Sequence, residues 1–364
     1  MSNTFFPSGT ISWYMARMFL VRSFAVLFLL TLVLQTLDLL GESGNVLAYP
    51  GNGSAQIWTY LTLRAPQIVA FLLPFSILLG TLITLATLNQ NSEVISMKAA
   101  GLSAHQVLAP LIVAAFGVAL VSFAFNDRIV SRASATLTRW EKANFGPIPM
   151  DRKSQSDVWV RDGDHLIHVG DVTGHGGATR LLDVTIYNRA GGSLMAIVRA
   201  PKAIPQGGGW MLFDARRFDV DRGVETGLGN VKVGSGVRPD QFTLASVNAD
   251  GLSFHGLWNA IDDLREAGRP TDALEAGLWH KLAGPLSTIL MPLLGAVAAF
   301  GVARSGRLFV RAVIGMGLGF TYFVADNFGL AMGNLGAYPP LLAAWGPFFL
   351  FLFIGEAVLI QTEE

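Results

Sequence analysis

The stretch APQIVAFLLPFSILLGTLITLATL, residues 65–88, decides the fold of this chain because it contains no charged side chain. A bilayer core of about 30 Å needs roughly 20 apolar residues in a helix, and lipid offers backbone amides no other partner. The stretch therefore predicts a transmembrane helix. Charge is absent from the whole interval between Arg64 and Glu93, which makes this the clearest apolar stretch in the sequence.

Similar apolar stretches recur on both sides of a more polar centre. They predict further transmembrane helices at residues 18–40, 106–126, 282–303, 308–328 and 341–360. Residues 1–126 hold 7 charged side chains, residues 127–280 hold 37, and residues 281–364 hold 8. We therefore predict three regions: residues 1–126 with three spans, an inserted domain at 127–280, and residues 281–364 with three more spans.

The charge balance and the short loops narrow the possible classes of protein. Lys+Arg and Asp+Glu number 26 each, so there is no excess of positive charge to neutralise nucleic-acid phosphates. Cytoplasmic loops are enriched in Lys and Arg. One side of the predicted bundle carries six basic residues and the other only Arg64, which predicts cytoplasmic termini and an external central domain. The six are Arg17, Arg22, Lys98, Arg304, Arg307 and Arg311.

The central domain reads as β-structure, because short alternating runs are separated by turn residues. Val158 and Val160 alternate with polar neighbours, and residues 188–192 form a hairpin signal between two such runs. Strands are predicted at residues 157–161, 184–187, 193–198 and 210–213. A single sheet would leave its apolar face open, so a sandwich, a jelly roll or a curled half-barrel is expected.

Helices are predicted at the borders of this domain. Residues 133–143 continue the third span outward. A stripe of Leu257, Ile261 and Leu264 predicts an amphipathic helix that Gly268 and Pro270 end. Such a stripe suits either the membrane surface or the β-domain.

Residues 89–101 connect the second and third spans on the side predicted to be cytoplasmic. Ser92 is placed to cap a short helix that Gly101 ends, and Val94 and Met97 offer apolar contacts, as do Ile95 and Ala100. A helix this short needs a partner surface. It is therefore either a coupling helix that inserts into a cytoplasmic motor protein, with Glu93 as its anchoring charge, or a connector on the membrane surface.

The sequence contains few signals of a catalytic or metal-binding site. The sequence has no phosphate-binding Gly-x-x-x-x-Gly-Lys-[Ser/Thr] motif, no Gly-x-Ser-x-Gly elbow and no cysteine. His165 and His168 fall on opposite faces of a strand and His175 on a glycine-rich loop, so no metal site is expected.

Charged and glycine residues within the spans have structural interpretations. Four ionisable residues near span ends are interpreted as interfacial charges: Asp38, Arg64, Asp326 and Glu356. Glycines in the fourth and fifth spans predict close helix packing: Gly295, Gly301, Gly315, Gly317 and Gly319.

Three stretches resemble a known family. Residues 92–102 read SEVISMKAAGL, residues 251–258 read GLSFHGLW, and residues 279–286 read WHKLAGPL. Together with the architecture they resemble the lipopolysaccharide export permeases of the LptF/LptG family. The last two stretches are more similar to the LptG branch.

The resemblance implies a non-catalytic membrane subunit of an ABC exporter in the Gram-negative inner membrane, with a periplasmic β-jelly roll. Its implied partners are an LptF-like permease, a dimeric LptB-like ATPase that holds ATP and Mg, and a single-span LptC-like bridge protein. No cofactor is implied for this chain. The coupling residues implied by the resemblance are Ser92, Glu93, Val94, Met97 and Gly101.

The resemblance also implies a cavity for lipopolysaccharide. Relatives carry lysines at the outer end of the first span, where this chain has Gln35, Gly41 and Glu42. The cavity candidates are therefore Gln35, Asp38, Arg132, Arg139 and Phe320, of which the arginines suit anion contact. The expected function is extraction of lipopolysaccharide from the outer leaflet and its transfer to a periplasmic bridge. The alternative is a mechanotransmitting ABC subunit that acts on periplasmic partners without carrying lipid.

Overall fold

The computed structural model describes residues 7–147, 155–174, 176–190, 193–233, 237, 242, 249–266, 270–301 and 308–361. The chain divides into two compact units. A helical unit takes residues 1–148, 249–258 and 271–364, and a sheet unit takes residues 149–248 and 259–270. Among the residues that entered the predictions above, His175, Gly268, Arg304 and Arg307 lie outside the described ranges.

The helical unit is built from long apolar helices before and after the inserted sequence. The first part contains α1 (Gly9–Ala48), α2 (Ser54–Gln90), α3 (Glu93–Ala99), α4 (Ala104–Phe125) and α5 (Ser131–Lys142). The later helices are α7 (Asp272–Ala296), α8 (Leu308–Asn334) and α9 (Pro340–Gln361), and they follow α6 (Phe254–Glu266), whose residues are divided between the two units. In the described part of the chain, six helical stretches are long and apolar enough to cross a membrane, which confirms the six predicted spans.

Local sequence explains where several of these helices begin and how they continue. The Ser103 hydroxyl accepts a hydrogen bond from the Gln106 backbone amide at 3.2 Å, and the Ser103 backbone amide donates one to Oε1 of Gln106 at 3.0 Å. This capping box starts α4. A single π-helical turn, Asn126–Val130, joins α4 to α5, so the predicted outward continuation of the third span is confirmed.

Small residues allow the helices to approach one another. A Cβ atom added at Gly80 would lie 2.0 Å from Oγ of Ser23, and one at Gly319 would lie 2.2 Å from the Leu78 side chain. Gly295 and Gly315 are similarly confined, which confirms the prediction of close packing at these positions, whereas Gly317 faces open space. Shape complementarity of this kind stabilises helices in lipid, where the hydrophobic effect between helices is absent.

The described strands of the sheet unit form a six-stranded antiparallel sheet in which each strand pairs with its neighbours in sequence. Its strands are β1 (Gln155–Asp162), β2 (His165–Thr173), β3 (Arg180–Ala190), β4 (Ser193–Gln206), β5 (Gly209–Asp219) and β6 (Val224–Val233). Ala190 pairs with Ser193 across the predicted hairpin, whose central residues 191 and 192 lie outside the described ranges. The strand predictions are confirmed, and the jelly-roll arrangement stays a prediction.

The apolar face of this sheet is buried, as the alternation predicted. Val158 is 1% exposed and Val160 8%. Part of the cover comes from the chain after β6, where the Trp210 indole N–H donates to the Val237 carbonyl at 2.8 Å and its ring meets Phe242 edge-on. The predicted stripe on α6 is also buried, at Leu257, Ile261 and Leu264.

Candidate functional site

The short helix α3 is tied to its surroundings through the carboxylate of Glu93. Oε1 of Glu93 accepts a hydrogen bond from the Tyr14 hydroxyl at 3.4 Å and another from Nδ2 of Asn91 at 3.1 Å. Tyr14 belongs to α1, so one end of α3 is connected to a helix distant in sequence. The carboxylate therefore has a defined position before any partner binds.

The two sides of α3 differ in exposure. Val94 is 3% exposed, and Met97 packs against the same hydrophobic core. Ile95, in contrast, is 63% exposed. An isolated seven-residue helix is not stable in water, and the buried contacts of Val94 and Met97 supply the missing stabilisation. Of the apolar side chains predicted to meet a partner, those two serve the chain's own core, and Ile95 is left facing outward.

The ends of α3 agree only partly with the expectation from sequence. Gly101 has φ +88°, and the amides of Gly101 and Leu102 donate to the carbonyls of Lys98 and Met97, as in a Schellman motif. This confirms Gly101 as the end of the helix. The prediction that the Ser92 side chain caps α3 is wrong: Ser92 adopts φ 58° and makes no side-chain capping bond. Its carbonyl instead accepts from the Ser96 amide.

The lipid-cavity candidate Asp38 lies in a charged cluster between α1 and α2. Its Oδ1 accepts from Nε and Nη2 of Arg64 at 3.0 and 2.9 Å, and its Oδ2 accepts from the Tyr60 hydroxyl at 2.7 Å. Nη1 of Arg64 also donates to Gln67 at 2.8 Å. Asp38 and Arg64 therefore pair with each other, which the sequence did not predict, and their position at the membrane interface stays a prediction. Paired groups of opposite charge stabilise one another where water is scarce.

The remaining lipid-cavity candidates are spread over the helical unit. Both amide atoms of Gln35 are buried and make no hydrogen bond within the described part of the chain. Nε of Arg139 donates to the Ala135 carbonyl one turn earlier at 3.0 Å, and Arg132 is exposed. Phe320 is 61% exposed. The structure does not gather these side chains into one pocket within this chain.

A cavity of about 450 Å³ does occur in the helical unit, at residues that sequence reasoning did not select as a site. None of the five lipid-cavity candidates is among its described lining residues. Phe71, Phe75 and Phe323 form an aromatic cluster in its lining, which also contains polar side chains. The polar lining includes Gln67, Asn126, Asp250, His280, Lys281 and Asp326.

Two histidine–carboxylate pairs join helices that are far apart in sequence. Nε2 of His280 lies 3.0 Å from Oδ2 of Asp326, and Nε2 of His105 lies 3.1 Å from Oε2 of Glu356. Asp326 is only 13% exposed and pairs with His280, whereas its position at the membrane interface stays a prediction. The only sequence signal for the first pair was an ionisable residue just before the predicted fourth span and another within the fifth, and their separation of 46 residues shows no pattern.

The described residues contain no group of three or more His, Asp or Glu side chains that could hold a metal ion. His165 and His168 have other partners. Nδ1 of His165 accepts from the Arg189 amide at 3.2 Å, and the His168 ring lies 4.5 Å from that of Trp159.

Comparison of the sequence with known proteins identifies the family of this chain. The family described as "Lipopolysaccharide export system permease LptF/LptG" matches residues 13–361. The chain is 25% identical to the LptG lipopolysaccharide export system permease protein of Escherichia coli strain K12, over 98% of this chain and 99% of that protein. It is also 25% identical to the LptG protein of Haemophilus influenzae, over 94% of this chain and 96% of that protein.

The match covers both the helical unit and the inserted sheet unit. In the described residues, six helices long enough to span a membrane and an inserted antiparallel sheet agree with the helical bundle and β-domain expected from the sequence. The relatives are permease subunits and not catalytic enzymes by name. This multi-pass membrane protein therefore belongs to the LptF/LptG family of lipopolysaccharide export permeases.

Proposed function

We propose that this chain is the transmembrane permease subunit of an ABC exporter that extracts lipopolysaccharide from the inner membrane and passes it to a periplasmic bridge. A separate dimeric ATPase binds ATP and Mg, hydrolyses the ATP and drives the movement. The chain works beside an LptF-like permease, with both termini in the cytoplasm and the sheet unit in the periplasm. The family assignment supports the transport role.

The observation that carries the coupling part of this proposal is the construction of α3. The helix connects two membrane spans, its inner side is held by Val94, and its outer side presents Ile95 at 63% exposure. Glu93 is fixed by two hydrogen bonds at the first position. A rigid exposed helix between two spans can transmit a displacement from the ATPase to the spans, because the Val94 contact with the hydrophobic core moves together with the helix.

The exposed apolar position and the charge have separate roles in docking. Ile95 would fill an apolar groove on the ATPase, and Glu93 would meet a basic residue of that groove. A buried apolar contact supplies affinity, whereas a charge pair fixes orientation and excludes wrong partners. The sequence of this chain has no phosphate-binding motif, so the partner ATPase would hold the nucleotide.

The coupling role is tested by Glu93→Lys and Ile95→Asp in the reconstituted complex, with lipopolysaccharide release and ATP hydrolysis measured together. We expect Glu93→Lys to lower the lipopolysaccharide released per ATP at least tenfold. We expect Ile95→Asp to lower ATPase co-purification. Leu335→Asp is the matched control, because Leu335 is 76% exposed and follows α8. Normal transport by Glu93→Lys with normal assembly would refute the coupling role.

The same preparation separates the transport role from a purely mechanical one. A subunit that carries lipid should bind lipopolysaccharide, and its ATPase rate should respond to that substrate. A mechanotransmitting subunit would couple to its periplasmic partners with no lipopolysaccharide bound to either permease. Coupling to the periplasmic partners with no lipopolysaccharide bound to either permease would refute lipid extraction by this chain and leave the family assignment intact.

A further inference from the structure

The cavity of about 450 Å³ in the helical unit contains two buried oxygen atoms that can accept further hydrogen bonds. Oδ1 of Asp326 has no hydrogen-bond partner within the described residues, and the Tyr322 hydroxyl has Ser287 beside it, to which it can donate. Tyr322 is 4% exposed. The two residues are four positions apart on α8, so they lie on one face of that helix. Buried polar atoms are nearly always satisfied, and the unsatisfied carboxylate oxygen therefore points to a missing group.

The carboxylate is held in place by its other oxygen. Oδ2 of Asp326 lies 3.0 Å from Nε2 of His280, which fixes the direction of Oδ1. Ser287, on the facing helix α7, lies close to the Tyr322 hydroxyl and lines the same cavity. Its own hydroxyl donates to the Gly284 carbonyl at 2.6 Å, so its lone pairs remain available. The site thus offers hydrogen-bond acceptors from two helices.

The balance of charge around the cavity favours a cation. Its described lining includes two carboxylates, Asp250 and Asp326, against the single ammonium of Lys281 and the imidazole of His280. Asp127 also acts on Lys281 from nearby. Acidic groups therefore outnumber the permanently basic one. Transfer of an uncompensated charge from water to an apolar environment is costly, and a positive ligand removes that cost.

We propose that this cavity binds a primary ammonium group, which donates hydrogen bonds to Oδ1 of Asp326 and to the Tyr322 hydroxyl. An ammonium has three donors and no acceptor, which matches a site rich in acceptors. Water could donate to both oxygens, but it carries no charge to complement the carboxylate beyond the contact that His280 already makes. A quaternary ammonium has no N–H group and could not satisfy either oxygen.

The mouth of the cavity suggests two sources of the ammonium. Phe71 is half exposed in the aromatic cluster, and its ring lies 5.4 Å from that of Phe323. Apolar chains can lie against this cluster, so the ammonium can belong to an ethanolamine lipid. A soluble amine of the same chemistry fits the polar side chains alone. The inference is independent of the proposed transport function.

The test uses the purified full-length chain and native mass spectrometry of bound lipid. Phosphatidylethanolamine and phosphatidylcholine with identical acyl chains are supplied in equal amounts. We expect the wild-type chain to retain the ethanolamine lipid about tenfold more often, because the choline lipid makes no hydrogen bond to a charged oxygen. Asp326→Asn should bring this ratio close to one, and Tyr322→Phe should lower it about threefold.

Glu356→Gln is the matched control, because Glu356 belongs to the other histidine–carboxylate pair and lies away from the cavity. It should keep the wild-type ratio. Both lipids are counted in one sample, so a loss of folded protein does not change the ratio. Competition by ethanolamine distinguishes a soluble ligand from a lipid. Equal retention of the two lipids, with no ethanolamine binding, would overturn the proposal, as would a preference that survives Asp326→Asn.

Discussion

The Tyr14 hydroxyl donates a hydrogen bond to Oε1 of Glu93 at 3.4 Å, across 79 positions of the chain. This contact connects the start of α1 with the start of α3. It is exposed, so its contribution to stability is small. Its effect is to orient a carboxylate on a helix that is proposed to meet the ATPase.

Tyr14→Phe removes this donor and leaves the ring. We expect lipopolysaccharide release per ATP to fall about twofold, which corresponds to the roughly 0.5 kcal/mol of a weak hydrogen bond. The measurement is release and hydrolysis in the reconstituted complex. Tyr338→Phe is the control, because Tyr338 is similarly exposed, at 42% against 48%. An unchanged ratio in Tyr14→Phe would show that the contact does not orient Glu93 for coupling.

The exposed ring of Phe320 provides a test of the lipopolysaccharide cavity that the family resemblance implies. A photoreactive residue at this position should form an adduct with lipopolysaccharide in the assembled exporter. The same residue at Val121, which is 70% exposed on α4, should form an adduct at most a third as often. Adducts are counted by immunoblotting for lipopolysaccharide. Equal labelling at both positions would indicate general contact with lipid and contradict a cavity beside α8.

The pair of Arg64 and Asp38 should contribute to the stability of the helical unit. Arg64→Met leaves the mostly buried Asp38 carboxylate without its cation, and we expect the free energy of unfolding to fall by about 2 kcal/mol. Solvent reaches the guanidinium, so this loss is smaller than for a fully buried pair. Unfolding in mixed micelles measures the effect.

A double-mutant cycle isolates this interaction. Asp38→Asn should lower the free energy of unfolding by less than Arg64→Met, because an amide can still accept from the Tyr60 hydroxyl. The double variant should be less destabilised than the sum of the single variants. Strict additivity would show that the observed ion pair contributes nothing to stability.

Gly80 and Gly317 provide matched substitutions on membrane-spanning helices. A Cβ atom at Gly80 would lie 2.7 Å from the backbone Cα of Ser23, so Gly80→Ala should lower the free energy of unfolding by about 1–3 kcal/mol. Gly317→Ala meets no atom within 4 Å and should be neutral or slightly stabilising. The contact is with backbone, so trimming Ser23 to Ala should not rescue Gly80→Ala. Equal stability of the two glycine variants would contradict the close approach.

The sequence predicted the helical spans because each depends on a local run of apolar residues. It predicted the strands for the same reason, since Val158 and Val160 are two positions apart and share a face. Gly101 was correctly predicted to end α3, because a left-handed residue at a helix end favours glycine. The failure at Ser92 has a local cause as well: its backbone is left-handed, and its side chain does not reach the helix amides.

The ionisable residues of the spans show what pattern alone does not reveal. Asp38 and Asp326 each resembled an isolated charge near a span end, but their partners Arg64 and His280 come from other helices. Apolar periodicity places a side chain on one face of its helix without saying which helix packs against that face. The cavity around Asp326 was missed for this reason.

The amino-acid order by itself determined which segments enter the membrane and which form a sheet, because burial of apolar side chains and backbone hydrogen bonding act over a few neighbouring residues. Tertiary structure alone decided which charges meet, which face of α3 remains exposed, and where a carboxylate oxygen of α8 is left without a partner among the described residues. Those outcomes depend on distances between helices that are far apart in sequence, and such distances are set by the packing of the whole helical unit.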